Sequence, residues 1–302
     1  MKFAEELFPK GTFPKQQSDG AYIHHNLATN LDIFAKTIVK DMHFLIIITG
    51  NDSVGNGKST LATQVCTYLT WKINQLHGLN NTFTHKNVFF KGKALQNESF
   101  NMPKYSVLQL DEGDDLTGHA MKNEMHELKR YFRKCRQLNQ ILVMILPSFF
   151  ELPKFFALAR SHCLINVKFH GEFQRGIGDF YSQANKKKLY IHGKKDWDYS
   201  AAKPNFDIAF TGGYCFYGNL EEEIQKYLEA KHKDAEEETN SNKRISPEQK
   251  KLLEFKYKVA LMNLKETNNS IDLASELGVS TRTLLRWKEI DLRDFSNNSD
   301  DI

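Results

Sequence analysis

Residues 44–69 contain the pattern that limits the possible folds of this chain most. An apolar run is followed at once by a glycine-rich segment and then by a segment with helical periodicity. Residues 44–49 read Phe-Leu-Ile-Ile-Ile-Thr, the next segment contains Gly50, Gly55 and Gly57, and residues 61–69 have helical periodicity. A short apolar run bounded by turn residues is typical of a strand buried on both faces of a sheet. The segment therefore predicts a strand, a loop and a helix in direct succession, as in α/β folds.

The loop of this unit has the composition of an anion-binding site. Glycines let the backbone turn its N–H groups inward, and the start of the next helix adds the positive end of its dipole. The sequence resembles the Walker A motif, G-x-x-x-x-G-K-[ST], in which the lysine reaches the β- and γ-phosphates and the hydroxyl completes the Mg²⁺ shell. We therefore expect ATP and Mg²⁺ as ligands, with nucleotide-binding residues Gly50, Gly55, Asn56, Gly57, Lys58, Ser59 and Thr60.

The loop departs from the motif at one position. Counting back from Gly57, the first glycine position holds Asp52, and Gly50 lies two residues further upstream. Either the loop is two residues longer, or Asp52 takes the place of the glycine and repels the phosphate. A glycine-rich turn without a ligand is the alternative, but a strand before the loop and a helix after it favour nucleotide binding.

A second apolar run, at residues 106–111, ends in two acids, Asp111 and Glu112, and resembles the Walker B motif. Asp111 is predicted to hold Mg²⁺ through water together with Ser59. Glu112 is predicted to polarise the attacking water, a role typically worth about 10²- to 10⁴-fold in rate. Lys58 and Glu112 are thus the predicted catalytic residues. A strand cap with solvated acids is the alternative, and Asp114 and Asp115 are rival carboxylates.

Apolar runs alternate with helix-length segments over the rest of the first two thirds of the chain. This order predicts an α/β fold with a mainly parallel sheet covered by helices, followed by a small antiparallel addition. The further predicted strands are residues 87–90, 141–146 and 164–167 for the parallel part and 179–182, 188–192 and 208–210 for the addition.

A basic helix precedes the predicted strand 141–146. Apolar residues such as Leu128 and Phe132 recur there at helical spacing, which turns the cations to another face. That face is a solvated surface, a contact to DNA phosphates, or the source of an arginine finger for a neighbouring subunit. Ser148, just after the strand, is a possible γ-phosphate sensor. The possible fingers are Arg130, Arg133, Arg136 and Arg160.

From about residue 41 to residue 229 the chain resembles P-loop ATPases of phages, archaeal viruses and integrated elements, often labelled zonula occludens toxin-like. The resemblance rests on Ile46–Gly50, Gly57–Ala62, Leu110–Glu112 and the long segment Arg136–Leu152, and it continues through Lys186–Tyr190. Such proteins are similar to ring-forming DNA translocases. The resemblance implies a RecA-like core with an extra strand between the P-loop and Walker B strands, a homo-oligomeric ring, and DNA movement in packaging, segregation or conjugation.

Residues 270–288 resemble a helix-turn-helix. Ala274 is small where two helices would touch, Gly278 suits the turn, and Ser280 can cap the second helix. Residues 243–290 carry ten basic and six acidic residues, a net charge of +4, which suits double-stranded DNA as the partner. A three-helix protein-docking module is the alternative. The predicted DNA-binding residues are Thr281, Arg282, Arg286 and Lys288.

A length of 302 residues predicts about two domains. No apolar run approaches the roughly 20 residues that a bilayer crossing needs, and the four cysteines lack metal-ligand spacing, so we expect a cytoplasmic protein without a zinc site. The predicted divisions are an N-terminal extension at 1–40, an ATPase domain at 41–228, a charged linker or frayed helix end at 229–249, a helix-turn-helix domain at 250–290 and a disordered tail at 291–302.

These patterns predict an ATP-hydrolysing, DNA-associated protein, a viral or mobile-element motor recruited to DNA by its helix-turn-helix. The first alternative is a switch or loader for transposition, replication or transcription that hydrolyses ATP without translocating. A nucleoside or nucleotide kinase is the alternative of another class, although a kinase has little use for Glu112 or for a DNA reader. A DNA-binding regulator that binds ATP without hydrolysing it is a further alternative.

Overall fold

The computed structural model describes residues 22–50, 55–111, 130–132, 135–170 and 174–243. The chain divides into two compact units, Met1–Asp234 and Ala235–Ile302. The first unit is an α/β structure built on one sheet, as the sequence predicts. The helix-turn-helix prediction at residues 250–290 and the tail at 291–302 lie outside the described residues.

The described strands form one eight-stranded sheet. Its strands are β1 (Tyr22–Ile23), β2 (Phe44–Thr49), β3 (Val88–Phe89), β4 (Val107–Leu110), β5 (Ile141–Ile145), β6 (Cys163–His170), β7 (Gln174–Ser182) and β8 (Phe206–Thr211). The α-helices are α1 (His25–Thr37), α2 (Lys58–His77), α3 (Gly92–Glu98), α4 (Gln183–Gly193) and α5 (Leu220–Lys243). Short 3₁₀ turns occur at His85–Asn87, Ser99–Asn101, Cys135–Leu138 and Tyr199–Ala201, and a π-helix at Phe155–Arg160.

The strand order is β1-β8-β7-β6-β2-β5-β4-β3. Strand β2 pairs in parallel with β5 and β6, β4 pairs in parallel with β5 and β3, and the pairs β6–β7, β7–β8 and β8–β1 are antiparallel. The sheet is thus mainly parallel with a small antiparallel part, which confirms that prediction. Because β5 lies between β2 and β4, the order is compatible with a RecA-like core. Strands β2 and β4 end at the same edge of the sheet.

Strand β2 is buried along its whole length, because helices cover both faces of the sheet. Ile46 and Ile48 belong to the core formed with α1 and α2, while Leu45 and Ile47 belong to a second core that includes residues of the π-helix and α4. Each face therefore needs apolar side chains, which explains why this strand reads as a continuous apolar run.

The predicted strand at residues 188–192 is wrong, since these residues lie in α4. Lys186, Leu189 and Tyr190 are its buried side chains, at the spacing of one helix face. The three consecutive residues Leu189, Tyr190 and Ile191 resembled a short strand, and the helical spacing of the buried face was obscured because one of its positions is Lys186.

Two helices extend into the segments that the sequence assigned to an N-terminal extension and to a linker or frayed helix end. Helix α1 buries Leu27, Leu31 and Ala35 in the core, so the second half of the predicted N-terminal extension is part of the sheet's helical cover. Helix α5 continues to Lys243, so the predicted linker begins as a helix. Glutamate, lysine and alanine, which dominate residues 229–238, are good helix formers, which explains its length.

Candidate nucleotide-binding site

The loop after β2 enters α2 through two glycines in the left-handed region. Gly55 has a φ of 74° and Gly57 a φ of 100°, and α2 begins at Lys58. Residues with a Cβ rarely adopt these φ angles, so the backbone conformation favours glycine at both positions. Residues 51–54 lie outside the described residues, so the role of Asp52 stays a prediction.

Asn56 ties the loop to the sheet. Its Nδ2 donates to the carbonyl oxygen of Gly50 at 3.0 Å and to that of Val167 at 3.1 Å. The side chain is buried, and its Oδ1 has no hydrogen-bond partner among the described residues. The Lys58 side chain folds back towards Gly50, where an added Cβ would lie 2.8 Å from its Cδ and 2.9 Å from its Nζ. Gly50 is therefore also a position without room for a side chain.

Ser59 and Asp111 meet at the edge of the sheet where β2 and β4 end. The Ser59 hydroxyl donates to Asp111 Oδ1 at 3.0 Å, and Asp111 is completely buried. The sequence prediction placed both residues in one metal site, and the fold brings them into contact. Hydroxyl and carboxylate oxygens are hard ligands of the kind that Mg²⁺ takes together with water and phosphate oxygens. The donor set therefore fits Mg²⁺.

Two residues of α5 that were not among the predicted site residues also reach Asp111. Tyr227 donates its hydroxyl hydrogen to Asp111 Oδ2, and Lys231 Nζ lies 3.8 Å from the same oxygen. Burial, with the charge of Asp111 as a second cause, raises the pKa of Tyr227, so its hydroxyl keeps the proton that it donates. One aromatic residue in a strongly charged segment was the only sequence signal for Tyr227.

The charge of Asp111 also acts on the thiol of Cys66, which lies about two turns after Ser59 on α2. The pKa of Cys66 is raised well above its ordinary value, first by complete burial and then by Asp111. The thiol donates weakly to Gln109 Oε1 at 3.9 Å. Cys66 is therefore a neutral packing residue beneath the site rather than a reactive thiol.

A further cation lies beside the loop. Arg175, at the start of β7, places its Nη2 3.5 Å from the position that a Cβ on Gly55 would take. Because β7 runs antiparallel to β6, its first residues lie at the sheet edge where β2 ends. Arg175 is an exposed side chain, and it adds positive charge next to the predicted phosphate position.

The other predicted site residues are placed less favourably. Ser148 is buried after β5, and its hydroxyl oxygen accepts from the Phe150 N–H at 3.4 Å within its own turn. The guanidinium carbon of Arg160 lies 5.2 Å from the centroid of the Phe155 ring. Arg160 comes before β6, at the sheet edge opposite the glycine loop. Arg130 is exposed and comes before β5. In the described part of the chain, neither Ser148 nor Arg160 forms a hydrogen bond or ion pair with Ser59 or Asp111.

Several predicted site residues belong to segments outside the described part of the chain. Glu112, the predicted catalytic glutamate, and its rivals Asp114 and Asp115 lie outside the described residues, as do the side chains of Arg133 and Arg136. The same holds for the predicted DNA-binding residues Thr281, Arg282, Arg286 and Lys288.

Comparison of the chain with models of protein families, with curated proteins and with solved structures found no match. Among the described helices, none combines the length and the apolar character needed to cross a membrane.

Proposed function

We propose that this chain is a Mg²⁺-dependent ATPase of the P-loop class with a RecA-like core. The observation that carries the proposal is the hydrogen bond of 3.0 Å between Ser59 and the buried Asp111. Ser59 follows Lys58 at the start of α2, and Asp111 follows β4, so the two halves of the predicted metal site come from distant parts of the chain. A glycine-rich turn with no ligand gives no reason for this arrangement.

In the proposed reaction, each described residue has a role set by its position. The glycine loop and the start of α2 bind the phosphates through backbone N–H groups, and Lys58 adds a positive charge. Ser59 and Asp111 would hold Mg²⁺, which when bound neutralises charge on the β- and γ-phosphates. Arg175, at the start of β7, would add positive charge beside the phosphates. Glu112, directly after Asp111, would orient and polarise the attacking water.

We further propose that the protein acts on double-stranded DNA, as a homo-oligomeric ring that moves or packages the DNA of a virus or mobile element. Support comes from the sequence: the helix-turn-helix pattern at 270–288 and the net charge of +4 over residues 243–290. Residues 282 and 286 would read base edges, while Lys288 would contact phosphate.

Phosphate release from ATP tests the function, measured with Mg²⁺ in the presence and absence of double-stranded DNA. We expect ATP hydrolysis that double-stranded DNA stimulates. We also expect the motor to displace a third strand bound to the duplex as it advances along the DNA. A non-translocating switch would hydrolyse ATP without displacing the strand. Phosphate transfer to added nucleosides or nucleotides, without release to water, would contradict the proposal and identify a kinase.

A further inference from the structure

Helix α5 presents two groups to one oxygen of the predicted metal carboxylate. Oδ1 of Asp111 accepts from Ser59, while Oδ2 accepts from the Tyr227 hydroxyl and lies 3.8 Å from Lys231 Nζ. Oδ2 thus faces an O–H donor beside a positive charge. A hydrated Mg²⁺ ion offers a carboxylate the same pair, because its bound waters donate O–H bonds beside the cation. Tyr227 and Lys231 therefore present to Oδ2 the same kinds of group that a hydrated cation would present.

Two polar contacts of α5, one on each side of Tyr227, are suited to reversible docking. Before Tyr227, Glu223 Oε2 accepts from the N–H of His85 at 2.8 Å and contacts its Nδ1 at 2.7 Å. After it, Asp234 pairs with Lys91 at 3.0 Å. All four side chains keep part of their surface in solvent, where each such pair contributes little. Among the residues of α5 whose side chains are described, Tyr227 is the one that is fully buried, and its ring packs near Phe90, Tyr214 and Phe216.

We propose that α5 is a latch on the nucleotide site: Tyr227 and Lys231 occupy Asp111 Oδ2 in the absence of ligand, and Mg²⁺–ATP binding requires their release. The inference rests on the proposed function, since it takes Asp111 as the metal carboxylate. Its consequence is that the docking of α5 depends on the nucleotide. Because α5 continues to Lys243, it leads directly to the C-terminal residues that carry the predicted DNA reader.

The test compares Tyr227→Phe with the full-length wild type, using a fluorescent ATP analogue titrated with Mg²⁺ and again with EDTA. Phenylalanine keeps the buried ring and removes the hydroxyl donor. If the latched state holds most of the protein, its loss lowers the Kd for the Mg²⁺ complex about tenfold. The Kd in EDTA should not change, since the latch competes with the cation. Lys231→Gln should shift the Kd in the same direction, by less.

Tyr68→Phe is the matched control. Tyr68 donates to Asp32 at 2.7 Å, so the variant also breaks a tyrosine–aspartate bond, but one between α1 and α2. Its nucleotide affinity should equal that of the wild type. Hydrogen exchange over residues 220–236 is the second readout: Mg²⁺–ATP should speed exchange in the wild type, and Tyr227→Phe should exchange faster even without nucleotide.

Two results overturn the latch while leaving the proposed function intact. One is wild-type nucleotide binding that depends on Lys58, with the same Mg²⁺-dependent Kd in Tyr227→Phe. The other is slower exchange of α5 upon Mg²⁺–ATP binding, which would mean that α5 closes on the ligand instead of leaving it. If neither the wild type nor Tyr227→Phe binds the nucleotide, the proposed function falls and the latch falls with it.

Discussion

At the scale of single residues, Asp111 shows how the site stabilises a buried charge. A carboxylate removed from water is costly unless hydrogen bonds and counter-charge compensate it. Here Ser59 donates to one oxygen, Tyr227 donates to the other, and Lys231 brings a positive charge to 3.8 Å. Two helices distant in sequence, α2 and α5, therefore fix this one side chain, and Asp111 is held in a defined orientation.

Glu112→Gln tests the neighbouring residue, which is the predicted base. The amide keeps the size of the side chain but cannot take up the charge that polarises water. We expect ATP binding like that of the wild type and hydrolysis at least ~10²-fold slower, measured as Kd and as phosphate release. Asp114→Asn is the matched control and should hydrolyse ATP normally. Near-normal turnover in Glu112→Gln would show that Glu112 is not the base and would assign that role to Asp114 or Asp115.

At the scale of elements, local sequence predicted what short-range patterns determine. Strand β2 was predicted at its observed bounds because its apolar run is uninterrupted and its end is marked by glycine. Helix α4 was missed because its buried face includes Lys186, whose Nζ donates to the carbonyl oxygens of Ala157 and Ser161, both at 2.7 Å. Tyr227 was missed for a similar reason: its role depends on packing against residues more than a hundred positions away.

The β2–β6 pair provides a prediction at this scale. Nδ1 of His162 accepts from the Leu45 N–H at 3.2 Å, and burial lowers the pKa of His162 to about 4. The unfolded chain protonates this histidine near its ordinary pKa of 6.5, so as pH falls from 6.5 towards 4 the unfolded state gains the proton first and stability decreases. We expect urea unfolding to show a loss of about 1 to 2 kcal/mol over this window, allowing for partial exposure.

The control for this prediction is a pair of variants. His162→Gln, which keeps an acceptor but does not titrate, should lose less stability than the wild type between pH 6.5 and 4.5. His192→Gln replaces an exposed histidine on α4 and should keep the wild-type pH dependence. Equal pH dependence in the wild type and in His162→Gln would show that the histidine does not carry this effect.

At the scale of the whole molecule, the sheet order explains how the site assembles. Parallel strands β2, β5 and β4 end at one edge, so residues after β2 and β4 meet although more than fifty positions separate Ser59 from Asp111. The antiparallel strands extend the sheet beyond β6 and bring Arg175 to the same edge. The sequence predicted the parallel part and its edge, whereas Arg175 depended on the β6–β7 pairing.

Truncation tests whether ATP hydrolysis belongs to the first unit and DNA binding to the C-terminal segment. A chain of residues 1–242 should keep basal ATP hydrolysis and lose site-specific DNA binding. In the full chain, Arg282→Ala and Arg286→Ala should each cost roughly 1 to 3 kcal/mol of binding at the preferred site, whereas Lys288→Ala should weaken binding to all sequences. Competition binding with two DNA sequences measures both effects. If the truncated chain still located the same site, the C-terminal segment would have to be reassigned as a docking or oligomerisation module.

The proposed function depends on the loop between β2 and α2, which should bind the phosphates of ATP together with Mg²⁺. Calorimetric titration of the full chain with ATP and Mg²⁺ tests it most directly, in the wild type, in Lys58→Ala and in Lys93→Ala, an exposed lysine on α3 that serves as the control. We expect the wild type and Lys93→Ala to bind equally and Lys58→Ala to bind at least about tenfold more weakly, because a charged hydrogen bond to phosphate is lost. Equal affinity in all three proteins would contradict it.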